Sequence, residues 1–164
     1  NNDAAIESFN KVYIPMKSVI ELIDLKVRSV NKDGKIVELN KNNIKEVNNL
    51  ENYGAFKIFA IEGVELGSEI EYIYKLKKQT DNFGREYYQS SHPSLSANFQ
   101  LITPDSLIFE TKSYAGFPNT KDTIKNSKRF LVGEAANISG LTKEEFSNYN
   151  ANLMRIEYRL SVNV

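Results

Sequence analysis

The clearest pattern along the chain is a strict alternation of apolar and polar positions over residues 70–76. One parity carries Ile70, Tyr72, Tyr74 and Leu76, and the other carries Glu71, Ile73 and Lys75. Successive side chains of a strand point to opposite faces, so the pattern predicts a strand with one apolar and one mixed face. A second β-favouring run covers 55–61, and the glycine-containing segment 62–68 lies between the two runs. The sequence therefore predicts a hairpin of these two strands, with the rest of the chain arranged around it.

Similar short runs, bounded by turn residues, predict further strands. They cover 12–14, 18–30, 35–39, 86–89, 97–102, 106–112, 123–128, 129–132 and 155–162. Within 18–30 the parity of the apolar residues changes near the middle, which predicts a bulge or bend. Asp33-Gly34 lies between two strand-like runs and predicts a hairpin turn there.

Helix signals are few. Residues 40–53 are compatible with a short helix capped by Asn43 and Glu46, or with a strand over 44–47. Thr142 and Glu145 have the spacing of a capping box, with Leu141 and Phe146 at the staple positions. This spacing predicts a short helix over 143–149.

The fold class follows from this inventory. Roughly eight to ten short strands with one or two short helices predict an all-β chain, since short turn-bounded strands favour an antiparallel sandwich over a parallel sheet. A length of 164 residues suits one domain. We expect a loose lead-in over 1–10 and a single β-sandwich domain over 11–164.

Charge and composition exclude several function classes. Twenty-one basic residues balance 21 acidic ones, so no overall field favours nucleic acid. The absence of cysteine removes thiolate zinc sites and thiol nucleophiles from this chain. No apolar run is long enough to span a membrane, and the start lacks the features of a signal peptide. The chain does not begin with Met, so we expect a piece excised from a longer multidomain protein.

The candidate chemistry is sparse. His92, the only histidine, lies in a Ser/Pro-rich connection beside Ser90, Ser91 and Ser94. A hydrolase that uses His92 is a remote alternative, because adjacency in sequence is not the geometry of a catalytic triad. Glu69 and Glu71 share a strand face, but the neighbouring lysines indicate a solvated outer face rather than a pair of catalytic acids. We expect no catalytic residue, cofactor or metal site in this chain.

Aromatic residues near turns suggest a binding surface. Tyrosine combines an apolar ring with a polar tip, and such rings can form a ledge for a ligand. The candidates, together with His92, are Tyr87, Tyr88, Tyr114 and Phe117. The alternative function is therefore a glycan- or peptide-binding module, and the competing interpretation of these rings is packing at the edge of a sheet.

The order of the segments resembles a known family. The resemblance covers about residues 11–163 and rests on the segments KVRSVNKDGKIVEL, IKEV, AFKIFAIEGVELGSEIEYIYKL, NFQLITPDSLIFETK and GLTKEEFSNYNANLMRIEYRL. They are similar to the bacterial β-sandwich domain of unknown function that is found N-terminal to transglutaminase-like domains.

This resemblance implies an immunoglobulin-like sandwich in a periplasmic or secreted protein. In such proteins a downstream domain of the same polypeptide carries a Cys-His-Asp constellation, and that domain would be the partner of this chain. The resemblance thus implies a non-catalytic accessory domain that packs against or positions its neighbours, with a protein or glycan as a possible ligand.

Overall fold

Strands account for most of the fold in the computed structural model, which describes residues 6–7, 9–49, 54–79 and 81–161. The chain forms two compact units, residues 1–80 and 81–164. The first unit contains β1 (Lys11–Pro15), β2 (Val19–Val30), β3 (Ile36–Glu38), a 3-10 turn (Lys41–Asn43), β4 (Lys45–Val47), β5 (Phe56–Ala60) and β6 (Glu69–Lys78). The second unit contains β7 (Phe83–Tyr87), β8 (Ser94–Pro104), β9 (Phe109–Tyr114), β10 (Lys121–Lys125), β11 (Lys128–Ile138), α1 (Tyr149–Asn152) and β12 (Arg155–Leu160).

The first unit consists of two antiparallel three-stranded sheets, ordered β1-β5-β4 and β3-β2-β6. Its core draws on both sheets, because Ile14 and Phe59 of one sheet pack with Leu25 and Val27 of the other. Ile14 and Phe59 are almost completely buried. The two sheets therefore face each other across one apolar layer, as in a β-sandwich.

The second unit repeats this principle with a different strand order. Its sheets are ordered β10-β11-β8 and β7-β12-β9, and all pairings are antiparallel. Phe99 and Leu131 of the first sheet pack with Ile156 of the second, which has no exposed surface. The ring of Tyr158 lies where a side chain at Gly84 would stand, so glycine is needed at this position of β7.

The predicted fold class is confirmed: the chain is all-β, antiparallel and arranged in sandwiched sheets, with a short helix. The prediction of a single domain over 11–164 stays a prediction. The predicted lead-in falls mainly on residues outside the described ranges. Among the described residues, no helix has the length and apolar character needed to cross a membrane.

The irregularity predicted within 18–30 is present in β2. The pairing of β2 with β6 changes register between Val19 and Glu21 and again between Leu22 and Asp24. From Asp24 onward the register is regular, with Leu25 and Val27 facing the core. The hairpin at Asp33-Gly34 is also confirmed, since β2 pairs with β3 and Gly34 has a φ of 81°.

The predicted hairpin of 55–61 with 68–78 is wrong. Both runs are strands, but β5 pairs with β1 and β4, whereas β6 pairs with β2 in the opposite sheet. The glycine-containing segment between them crosses from one sheet to the other. Ser29, fully buried in β2, secures this crossing because its hydroxyl donates a hydrogen bond of 2.8 Å to the carbonyl of Glu62.

The helix predicted over 143–149 does not form. Phe146, which should have stapled that helix, is 100% exposed and has a φ of 65°, outside the right-handed helical region. The helix begins later, at Tyr149, where the Asn148 side chain accepts a hydrogen bond from the Ala151 N–H. Asparagine provides the same kind of cap that Thr142 was expected to provide.

Within residues 40–53 the strand alternative is confirmed, since a short strand forms close to the predicted span 44–47. Asn40, rather than Asn43, caps a 3-10 turn, and β4 follows over Lys45–Val47. The part of this segment from 50 to 53 lies outside the described residues. Further along, the runs 123–128 and 129–132 form a hairpin of β10 and β11, whose turn residues Asn126 and Ser127 both have positive φ.

Removing the buried hydroxyl of Ser29 should destabilise the first unit. In Ser29→Ala the part-buried hydrogen bond to the Glu62 carbonyl is lost, and we expect a loss of about 0.5–1.5 kcal/mol in the free energy of unfolding. Urea denaturation followed by circular dichroism measures this loss. Ser106→Ala, which removes an exposed hydroxyl, serves as the control and should change stability little. An unchanged midpoint for Ser29→Ala would show that the crossing does not depend on this bond.

Candidate functional site

Two of the predicted surface aromatics belong to the core of the second unit. Phe117 is only 4% exposed and packs with Phe99, Leu131 and Ile156. Tyr88 stacks on Phe117, with ring centroids 4.7 Å apart, and burial together with the charge of Glu86 raises the pKa of Tyr88 to about 12. Phe117 therefore contributes to packing, and its ring offers no surface to a ligand.

The other two predicted aromatics lie in one row on the outer face of the β7-β12-β9 sheet. Arg155 of the central strand β12 is directly opposite Tyr87 of β7 and Tyr114 of β9. Residues directly opposite one another in neighbouring strands share a face of the sheet. The Arg155 guanidinium lies over the Tyr114 ring, 4.0 Å from its centroid, which is a close cation–π geometry.

A second row of charged residues follows two positions along the same face. Here Glu157 is opposite Arg85 on one side and Lys112 on the other. One carboxylate oxygen of Glu157 accepts hydrogen bonds from the Nε atoms of Arg85, at 2.7 Å, and Arg155, at 3.3 Å. Lys112 Nζ lies 5.2 Å from the centroid of the Tyr114 ring.

The electrostatics of this row follow from the shared carboxylate. Burial acts to raise the pKa of Glu157, but hydrogen bonds from Arg155 and Arg85 outweigh it, so the net shift of this pKa is downward. Two arginines, one lysine and one carboxylate occupy these two rows, so this patch carries an excess of positive charge. We call these two rows, Tyr87–Arg155–Tyr114 and Arg85–Glu157–Lys112, the β12 face.

A third row extends the β12 face with a closed ion pair. Arg159 donates two hydrogen bonds, of 2.9 and 2.7 Å, to Glu110, and Phe83 stands on the other side of Arg159. Hydrogen bonds from Arg159 hold the pKa of Glu110 below its usual range. A shallow depression of about 460 Å³ lies here, bordered by Phe83, Lys112, Tyr114 and Arg159. The charges of its lining are balanced, because Glu110 and Glu157 oppose Lys112 and Arg159.

His92 lies apart from this face in the chain, at the bend between β7 and β8. Its Nδ1 atom is 3.1 Å from the hydroxyl of its neighbour Ser91, and its backbone N–H donates to the Ser90 hydroxyl. These contacts are those of a local turn, in which the two serines and the histidine bind one another and the backbone. In the ranges that the structure describes, no group of three or more His, Cys, Asp or Glu side chains is placed to hold a metal ion.

Glu69 and Glu71 are both exposed, and Glu71 accepts a hydrogen bond of 2.5 Å from Arg28 of β2. Both carboxylates lie on a solvent-exposed strand face. Among the predicted site residues, only Tyr87 and Tyr114 share one face of a sheet. Tyr88 and Phe117 pack with the core, and His92 belongs to a local turn.

Sequence reasoning missed the polar residues of the β12 face. Arg155 and Glu157 occupy the polar positions of the last alternating strand. This alternation could have indicated that both side chains point away from the core. The pattern could not show that Tyr87 and Tyr114 flank Arg155, because they come from strands distant in sequence.

Comparison with known proteins gives a family and a fold. A family profile, described as DUF3857, a domain of unknown function with a solved structure, matches residues 1–139. The chain is similar to a crystal structure from Parabacteroides distasonis, described as that of a "putative protease", with a TM-score of 0.76 and 18% sequence identity. The similarity covers 96% of this chain and 34% of that chain, so this chain spans about a third of that protein's length. No curated protein matches the chain at a significant level.

The shared carboxylate should make stability depend on pH in the acid range. Because the folded pKa of Glu157 lies below its unfolded value, its contribution is present above the unfolded pKa and is lost as pH falls through the folded pKa. We expect Glu157→Gln to lower the free energy of unfolding at pH 7 by no more than about 1 kcal/mol, since solvent screens the pair. The difference from wild type should shrink between pH 5 and the folded pKa.

Urea denaturation at several pH values measures this difference. Glu144→Gln, in an exposed turn, is the matched control and should show a smaller difference across the range. A gap between wild type and Glu157→Gln that stays constant or widens toward acid pH would contradict the assignment.

Proposed function

We propose that this chain, which belongs to the DUF3857 family, is a non-catalytic β-sandwich module of a larger transglutaminase-like protein with a Cys-His-Asp catalytic domain. The observation that carries the proposal is the match of its fold to about a third of a larger protein described as a "putative protease". The chain itself contains no cysteine, so the nucleophile of such a protein would lie in another domain.

In this proposal the module packs against or positions the catalytic domain of the same polypeptide. Support comes from the two β-sandwich units, whose sheets provide rigid surfaces from which neighbouring domains can be held in place. The resemblance noted in the sequence further suggests an extracytoplasmic protein, periplasmic or secreted. This location is part of the proposal and rests on that resemblance alone.

The purified chain should hydrolyse neither peptides, esters nor glycosides. We expect rates at the level of the uncatalysed blank with casein, nitrophenyl ester and nitrophenyl glycoside substrates, because His92 contacts the hydroxyls of its own turn. His92→Ala is the matched control. Turnover by the wild-type chain that disappears in His92→Ala would overturn the proposal in favour of a hydrolase. A full reading frame without a Cys-His-Asp domain would contradict the proposal that a catalytic domain of the same polypeptide is the partner.

A second candidate function is glycan binding by the β12 face. The row Tyr87–Arg155–Tyr114 favours it, because the exposed ring of Tyr87 and the partly buried ring of Tyr114 flank a guanidinium on one face. Tyrosine rings pack on sugar rings, and the positive excess suits carboxylate-bearing sugars. Tyr88 and Phe117 have no part in this candidate, since both pack in the core.

The binding candidate predicts a selective effect of two tyrosines. Tyr87→Ala combined with Tyr114→Ala should reduce binding to uronic-acid glycans at least about tenfold on a glycan array, given the usual contribution of a buried aromatic contact. Tyr13→Ala, which removes an exposed ring from the first unit, is the control and should bind as wild type does. Binding that survives the double substitution would exclude this face.

A further inference from the structure

The long strand β6 leaves one of its edges open. It pairs with β2 on one side, and within the part of the chain that the structure describes no strand is paired with its other side. Its ten residues contain no proline, and from Glu69 to Lys75 its register with β2 is free of bulges. Soluble proteins usually interrupt or cover such an edge, because its unpaired N–H and C=O groups invite another strand.

The outer face of β6 has a charge pattern that is complementary to itself. Glu69 and Glu71 occupy the first half of the strand, Lys75 and Lys77 occupy the second half, and Ile73 lies at the centre. In an antiparallel pair of β6 strands from two copies, related by a two-fold axis at Ile73, Glu69 stands opposite the partner's Lys77. Glu71 then stands opposite the partner's Lys75. All four cross-strand charge pairs are attractive.

The other face of β6 is complementary under the same axis. Ile70 would meet the partner's Leu76, and Tyr72 would meet the partner's Tyr74. The Tyr72 and Tyr74 rings stack with centroids 6.5 Å apart, and Tyr72 is 53% exposed although it stands on the parity that faces the core. Ile73 on the outer face is 65% exposed. These apolar side chains along the open edge would be covered by the partner strand.

Other pairings of the same strand are less favourable. In a parallel pair the glutamates of both copies would lie side by side, as would the lysines. A shift of the antiparallel register by one residue sets Ile70 opposite the partner's Lys77 and exchanges the core-facing parity with the solvent-facing parity. A shift by two residues keeps the faces but retains only two of the four attractive charge pairs, so the charge pattern favours the register about Ile73.

We propose that β6 is a homodimerisation edge, at which a second copy of this chain pairs antiparallel about Ile73 to form a continuous six-stranded sheet. The order of this sheet is β3-β2-β6 followed by β6-β2-β3 of the partner. The interface is isologous, as expected for a two-fold dimer. It is independent of the proposed role as an accessory module and of the β12 face.

Charge reversal tests the pairing. Sedimentation equilibrium should give a mass of twice 18.7 kDa for the chain at high concentration. Glu69→Lys and Lys77→Glu each place like charges opposite one another, and each should weaken dimerisation at least about tenfold. A one-to-one mixture of the two variants restores opposite charges and should recover the dimer. Lys143→Glu, with the same charge change as Lys77→Glu in an exposed loop, should behave as wild type.

A disulfide at the two-fold axis gives a second measurement. The chain has no cysteine, so Ile73→Cys introduces a single thiol. Directly opposite residues of antiparallel strands have Cα atoms about 4.5–5.5 Å apart, within the range of a disulfide. We expect rapid covalent dimer formation under mild oxidation, whereas Leu95→Cys, a thiol on an 85% exposed residue of β8, should link slowly.

Three outcomes would overturn the proposal. They are a wild-type chain that stays monomeric at the highest soluble concentration, a dimer that both charge variants leave unchanged, and variant monomers whose mixture does not associate. Equal rates of disulfide formation for Ile73→Cys and Leu95→Cys would likewise contradict pairing at Ile73.

Discussion

The structure depends on one constraint, which is that every three-stranded sheet has a single apolar face and must bury it against the face of another sheet. In the first unit Ile14 and Phe59 meet Leu25 and Val27, and in the second unit Phe99 and Leu131 meet Ile156. An isolated sheet would leave its apolar face in water, so each sheet gains stability by covering the face of its partner. The connections therefore cross from sheet to sheet, as the segment between β5 and β6 does, so that consecutive strands often lie in opposite layers.

The same constraint creates the β12 face. Ile156 of β12 is fully buried, so the alternation of the strand sends Arg155 and Glu157 outward. The neighbouring strands then place Tyr87 and Tyr114 beside Arg155. A polar surface with a shared carboxylate and flanking rings is thus a consequence of how the core is packed. Surfaces of this kind can bind a ligand without any catalytic group.

The two proposals use different parts of the molecule. A module that positions a catalytic domain would present the sheet surfaces of its two β-sandwich units. A dimer through β6 needs an open edge with complementary charges, and the sequence order of glutamates before lysines provides that. The accessory role and the dimer are compatible, because only the dimer uses the edge of β6.

The sequence by itself determined which segments are strands, where β2 is irregular, and that Asp33-Gly34 turns the chain, since these features depend on alternation and on local turn chemistry. It also pointed to Tyr87 and Tyr114 as surface rings. The local helix signal at Thr142 was misleading, because its staple residue Phe146 finds no apolar partner and is fully exposed. The helix is capped instead by Asn148, later in the chain. Only the tertiary structure decided that β5 and β6 lie in different sheets, that Phe117 is buried, and that Arg155 stands between Tyr87 and Tyr114. The reason is that alternation is a property of one strand, whereas its partner and the side chains beside it are set by contacts between residues far apart in the chain.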